Sequence, residues 1–327
     1  MTDFGFMNEY KKISDRIEVL KIDNPRNQNS GVRWVNIINA GKNEINYLRK
    51  HYSFDLAHLR SIAASVVAQR PVIFRSQKYL FLILHFPTLK DERIVPGEID
   101  FFIGHGFLVT AHNNNLPALN DFYRLGKKDP DSLLSFSLES SAILLYEIIE
   151  RLINDCYRLL DNNSLEIYHI EELIFSGAQK EAVEKILLLR RNIINIRKIM
   201  QNHKNIFKEL TSMKSSLVDP VAIKKYYESL VEDSKRLWEQ LDNQREMIEV
   251  LNSTNESLLN SQMNLVMKTL TIFSVIVYPL TLLAGIFGMN AINMPFVKQE
   301  NGFWIILSIM LIGSLGMVFF FHKKKWL

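Results

Sequence analysis

Starting at Asn264, steps of three and four residues pick out Met267, Thr271, Ser274, Tyr278, Thr281, Gly285 and Gly288. At 3.6 residues per turn they share one face of a helix. The face gathers nearly every polar or small side chain of its stretch, Thr269 being the main exception. Ile272, Phe273, Ile276, Leu280 and Leu283 take the opposite side. Amides and hydroxyls in this arrangement do hydrogen-bonding chemistry, with no nucleophile beside a base. In lipid such a face meets either a partner helix, through its small residues, or a water-filled path. Pro279 removes one backbone bond, a loss that a neighbour or a wet lumen can make good. A single helix cannot enclose a pore, but several copies around an axis can.

The elements that position this face are legible on either side. Thr269 to Phe287 and Phe303 to Phe321 are each 19 residues long and carry no charge. At 1.5 Å per residue each reaches about 28 Å, the hydrocarbon thickness of a bilayer. Residues 288–302 join them, enough for a hairpin loop. Lys323, Lys324 and Lys325 follow the second run, Lys268 precedes the first, and the loop holds only Lys298 and Glu300. The positive-inside rule therefore places both termini in the cytoplasm and the loop outside, with no cleaved signal peptide at the N-terminus. The second run has Gly313 and Gly316 but little else that is polar, as expected of an outer, lipid-facing helix.

Residues 220–268 read as a stalk helix running into the first span. Pro220 suits a first turn and Asp219 an N-cap, with no further Gly or Pro before Pro279. Ile223, Leu230, Leu237, Leu251, Leu258 and Leu265 fall in a seven-residue register, with Tyr227, Leu241 and Ile248 four places on. Ser234, Gln244, Asn255 and Gln262 interrupt the seam. Such polar layers either line a central channel or belong to ordinary packing within one subunit. Eight acidic against five basic residues between Pro220 and Asn264 favour cations over anions.

The remainder reads as a cytosolic α+β domain over 1–130 and long helices over 131–219. “RWVNIINA” and “YLFLILHFP” are buried strands, and “EIDFFIGHGFLVTAH” is a hairpin closed at Gly104-His105-Gly106. “NEINYLRKHYSFDLAHLRSI”, “LLSFSLESSAILLYEIIERLINDCYRLLDNNSLEIYHIEELIF” and “EAVEKILLLRRNIINIRKIMQNHKNIFKEL” are each read as one helical run. Lys and Arg exceed Asp and Glu by only 39 to 35, too slight an excess to imply a nucleic-acid partner. Cys156 is the single cysteine, so neither a disulfide nor a cysteine-built zinc site can form. The sequence lacks Walker A, GxGxxG, HExxH and GxSxG patterns, and its eight histidines are scattered, so an enzyme is not expected.

“YPLTLLAGIFGMN” followed by “MP”, then a second span ending in “KKKWL”, resembles the CorA family of divalent-cation transporters. The likeness extends to “QRPVIFRSQKYLFLILHFP”, “LLYEIIERLINDCYRLLD” and “LLLRRNIINIRK”. It implies a CorA-like funnel, mostly α: a homopentamer in the bacterial inner membrane whose first transmembrane helices line the pore. Gly288, Met289 and Asn290 would then form the extracellular mouth, with Asn290 carbonyls holding the water shell of the ion. Mg2+ sheds water reluctantly, so an amide ring can select it without stripping it. Asn264, Met267 and Leu270 match the inner polar ring and constriction, and Thr281 and Gly285 match pore-lining positions.

No cofactor is implied beyond the transported ion, which is Mg2+ first, then Co2+ or Ni2+. A Zn2+ transporter of the same family and a transport-inactive, membrane-anchored interaction protein are the rival readings. The sequence also departs from the family. Tyr278 stands where many relatives carry Met, and Ala291 and Ile292 replace an aromatic and an acidic residue. Where relatives carry paired acids as a magnesium sensor, this chain has Arg60 and Ser61, and Ser229 replaces an acid on the stalk. Arg60 is expected to pair with Glu228 or Glu232 of a neighbour and so replace the ion.

Overall fold

Hydrophobic runs such as “LFLILHFP” lack strict alternation because the sheet they build is covered on both faces. The computed structural model describes residues 9–24, 27–63, 70–128, 140–212, 220–289, 295–296, 299–324 and 326. Residues 1–251 form one unit and 252–327 a second. In the first, β1 (Glu9–Lys12), β2 (Ile17–Asn24), β3 (Asn27–Ile38), β4 (Val72–Arg75), β5 (Leu80–Lys90), β6 (Arg93–Gly104) and β7 (Phe107–His112) form one seven-stranded sheet. Its order is β1-β2-β3-β7-β6-β5-β4. Only β3 and β7 run parallel, with Arg33 opposite Phe107; the other neighbours are antiparallel.

Alternation along the central strands sorts the core into two layers. Val35, Ile37, Phe81, Ile83, Phe102 and Val109 pack with Leu48 of α1 (Lys42–Tyr52) and Leu59 of α2 (Leu56–Ile62). On the other face Trp34 meets the rings of Phe122 and Tyr123 from α3 (Pro117–Lys128). The long helices α4 (Ser141–Phe175) and α5 (Gln179–Met200) also contact β5 and β6. A polar chain crosses this face fully satisfied. The Trp34 indole donates to Thr110 Oγ1 (3.0 Å), and Thr110 donates to Asn36 Oδ1 (2.8 Å). His112 Nδ1 accepts from the Asn114 amide, so its Nε2–H is the donor to Asn36 Oδ1 at 3.1 Å.

The expected hairpin is present, with Gly104 paired to Phe107 across His105 and Gly106. Gly106 has φ 69°, and a Cβ on Gly104 would lie 2.2 Å from the Phe107 ring, so both glycines are required. Two expected single helices are each divided. Ser53 turns left-handed (φ 56°) to end α1, and the Asp55 carboxylate caps α2 by accepting from the Ala57 amide at 2.8 Å. At the second break, the Asn202 carbonyl accepts from both Asn205 and Ile206 and starts α6 (His203–Ser212). Strands β1 and β2 are hidden in the sequence by their charged residues, and β4 by its four-residue length. Glu18 of β2, for instance, takes hydrogen bonds from Tyr10 and Lys127.

Among the described residues two helices are long and apolar enough to cross a membrane, α7 (Pro220–Phe287) and α8 (Gly302–Lys323). The α7 helix continues through Pro279 without a break.

Candidate functional site

Tyr227, Leu230, Ser234, Leu237, Leu241, Gln244, Ile248 and Leu251 are all buried, an unbroken three–four spacing along α7. That seam packs inside the same chain. The Tyr227 hydroxyl donates to the Ala142 carbonyl (2.9 Å), and Tyr157 of α4 donates to the Asp233 carbonyl (2.9 Å). Gln244 Nε2 donates to Leu160 O (2.7 Å) and Ser164 Oγ (2.9 Å), while its Oε1 accepts from Asn163 (3.3 Å). Arg197 of α5 pairs with Asp242 and lies over the Trp238 ring at 4.7 Å. Of the two readings of these polar layers, packing within one subunit holds at Gln244. The anchoring residues Tyr157, Asn163 and Arg197 carry no sequence signal beyond their helical spacing.

From Asn264 onward the environment of α7 changes. Asn264, Met267, Leu270, Thr271, Tyr278, Thr281, Gly285, Gly288 and Met289 are exposed and Ser274 is half-buried, whereas Ile272 opposite them is 6% exposed. The polar face is therefore open in the single chain, while the apolar side is covered only in part, with Ile272 buried and Phe273 65% exposed. A Cβ on Gly285 would meet nothing within 4 Å, so its own chain does not require the glycine. At Gly288 a Cβ would come 3.0 Å from the Ala284 carbonyl, which is already bonded to the Gly288 amide.

The aliphatic hydroxyls on this face, those of Thr271, Ser274 and Thr281, share one geometry. Thr271 donates to Met267 O (2.7 Å), Ser274 to Leu270 O (2.8 Å) and Thr281 to Val277 O (2.9 Å). Each proton is spent on the helix, so only oxygen lone pairs remain to face outward. The C-terminal end of α7 adds the negative end of its dipole beside Gly288 and Met289. Asn290 lies outside the described residues, as do Ala291 and Ile292.

The sensor region is placed without being closed. Arg60 is exposed on α2 and makes no ion pair among the described residues, while Ser61 turns inward and donates to His58 O (2.6 Å). Glu228 lies 3.7 Å from Lys224, and Glu232 is exposed. Ser229 donates to Tyr226 O (2.7 Å) and stands 3.5 Å from the Tyr146 hydroxyl, which donates to Glu150 (2.8 Å). Burial, helped by Glu150, pushes the Tyr146 phenol up to about 12 and raises the Glu147 carboxyl. Arg60 and the two stalk acids are thus not brought together within one chain. Among the described residues no group of three or more His, Cys, Asp or Glu is placed to hold a metal.

Residues 29–323 match the family described as CorA-like Mg2+ transporter protein. The cobalt/magnesium transport protein CorA of Methanocaldococcus jannaschii is 25% identical over 248 residues, 76% of this chain and 77% of that one. The zinc transport protein ZntB of Yersinia enterocolitica is 25% identical over 184 residues, 56% of this chain and 55% of its own. The complete structure of the CorA magnesium transporter from Methanocaldococcus jannaschii shares this fold, with a TM-score of 0.81 at 21% identity over 90% of this chain and 92% of that one. Since the family match runs from the third strand of the sheet to the end of the last helix, the chain belongs to the family of CorA-like Mg2+ transporter proteins.

Proposed function

We propose that five copies of this chain set α7 around a common axis and pass hydrated divalent cations, Mg2+ first, across a bacterial inner membrane. The observation that carries this reading is the open polar face of α7. The hydroxyl protons of Thr271, Ser274 and Thr281 are bonded inward, leaving oxygen toward the path. A row of acceptors suits the water shell of a cation and disfavours an anion. Asn290 would complete the row as an amide ring at the mouth, binding through water. The basic residues after α8 keep both termini in the cytoplasm. Likeness to a zinc transporter makes Zn2+ the second candidate ion.

Ion flux into proteoliposomes, compared for Mg2+, Zn2+, Co2+ and Ni2+, tests the reading. We expect Mg2+ to move fastest and Asn290→Ala to abolish the movement. Zn2+ flux alone would shift the assignment to zinc. No flux above empty liposomes, from intact oligomer, would favour a membrane-anchored interaction protein.

Arg60 of one copy would pair with Glu228 or Glu232 of the next, where Glu147 and Glu150 add negative charge. A permanent bridge of this kind takes the place of a magnesium sensor. Mg2+ should therefore give the full-length protein no added protection from proteolysis. Protection that appears with Mg2+ and disappears in Glu228→Ala would refute it.

A further inference from the structure

Where α5 gives way to α6, a cleft of about 790 Å3 opens against the β5–β6 hairpin. Two of the residues lining it, Arg70 and Lys198, are cations, and none is a carboxylate. Glu98 of β6 is taken up by the lining residue His85 at 2.9 Å, with both side chains largely buried. Ile94, Pro96 and Ile199 supply apolar wall, and Asn195 fastens that wall by donating to the Ile94 carbonyl at 3.2 Å. Asn202 lies at the start of α6, so the positive end of that helix borders the cleft as well. The volume falls within the range of small-molecule sites, roughly 300–1,000 Å3.

We infer that this cleft binds a phosphorylated small molecule of nucleotide size. Arg70 and Lys198 would hold the phosphate, and the Ile94–Pro96–Ile199 wall would take its flat, less polar body. The inference does not depend on the pore. It does reach the stalk, because Arg197 sits next to Lys198 and grips Asp242 and Trp238 of α7. Filling the cleft therefore bears on the turn of α5 that holds the stalk.

Titration calorimetry and tryptophan fluorescence on the full-length protein in nanodiscs, with adenosine monophosphate as the probe, test the assignment. We expect saturable binding weakened at least about tenfold in the Arg70→Ala/Lys198→Ala double variant. Inorganic phosphate and adenosine should each bind more weakly than the nucleotide. A fluorescence change lost in Trp238→Phe would support the link to the stalk. Absence of heat with the probe at about 10 mM, or binding unaltered in a folded double variant, would overturn the proposal.

Discussion

Thr281 gives its proton to Val277, and what it offers the open side of α7 is an oxygen. The same holds for Ser274 and Thr271, about two and nearly three turns below it. A cation that keeps its water shell needs acceptors for water hydrogens, which these oxygens are and a methyl group is not. Thr281→Val keeps the shape of the side chain and removes the acceptor. Each lost water contact of this kind is worth about 0.5–1.5 kcal/mol in the passing ion, or roughly a threefold to tenfold fall in flux. Thr281→Ser should retain wild-type flux, since it restores the oxygen. Equal proteoliposome flux for Thr281→Val and wild type would show that this face does not touch the ion path. Spacing alone exposed the face, because a 3.6-residue period is written in residue types. The direction of each hydroxyl was not legible, since it depends on the rotamer each side chain adopts against its own helix.

As an element, α7 does two jobs, and the sequence marks them unequally. Its seven-residue register predicts a buried seam, and Tyr227 to Leu251 form one. The register says nothing about what covers the seam, because packing onto α4 and packing around a shared axis use the same spacing. The α4 side decides it, through Asn163 and the Leu160 carbonyl, some eighty positions away in the chain. The sheet shows a similar limit. The runs in β5 and β7 are covered on both faces and can be read from their apolar residues, whereas β2, with Glu18 and Lys21 among its residues, carries no comparable apolar run. Gln244→Ala should test the seam, since it leaves the buried Asn163 amide without its acceptor. The expected loss is about 1–3 kcal/mol, seen as a lower melting temperature of the purified protein. Gln244→Leu with Asn163→Leu should recover much of that loss, because both polar partners are then gone. A Gln244→Ala protein as stable as wild type would mean that the seam is not held at this layer.

At the scale of the whole molecule, stability must depend on pH, and the buried histidines set the sign. His203 is fully enclosed by Phe86, Phe207 and neighbours, and burial with His85 close by lowers its pKa to about 3. His112 is lowered to about 4 by burial alone. Both are neutral in the folded protein, whereas in the unfolded chain they take up protons near pH 6.5. Their stabilisation is therefore complete above pH 6.5 and is lost as pH falls toward the folded values. Each protonation unit is worth about 1.4 kcal/mol, so the two together cost roughly 4 kcal/mol between pH 7 and 5. Asp100 opposes them. Burial, then the nearby Glu98 charge, raises its carboxyl well above the usual range, so its contribution falls as pH rises through that raised value. At neutral pH the Asp100 group thus weakens the fold, and mild acid relieves it. His203→Phe isolates one contribution, since a phenyl ring suits the aromatic pocket and does not titrate. Wild type should melt several degrees lower at pH 5 than at pH 7. His203→Phe should reduce that difference by about 4–8 °C. An unchanged difference would place the acid sensitivity elsewhere, with His112→Asn the variant to compare next.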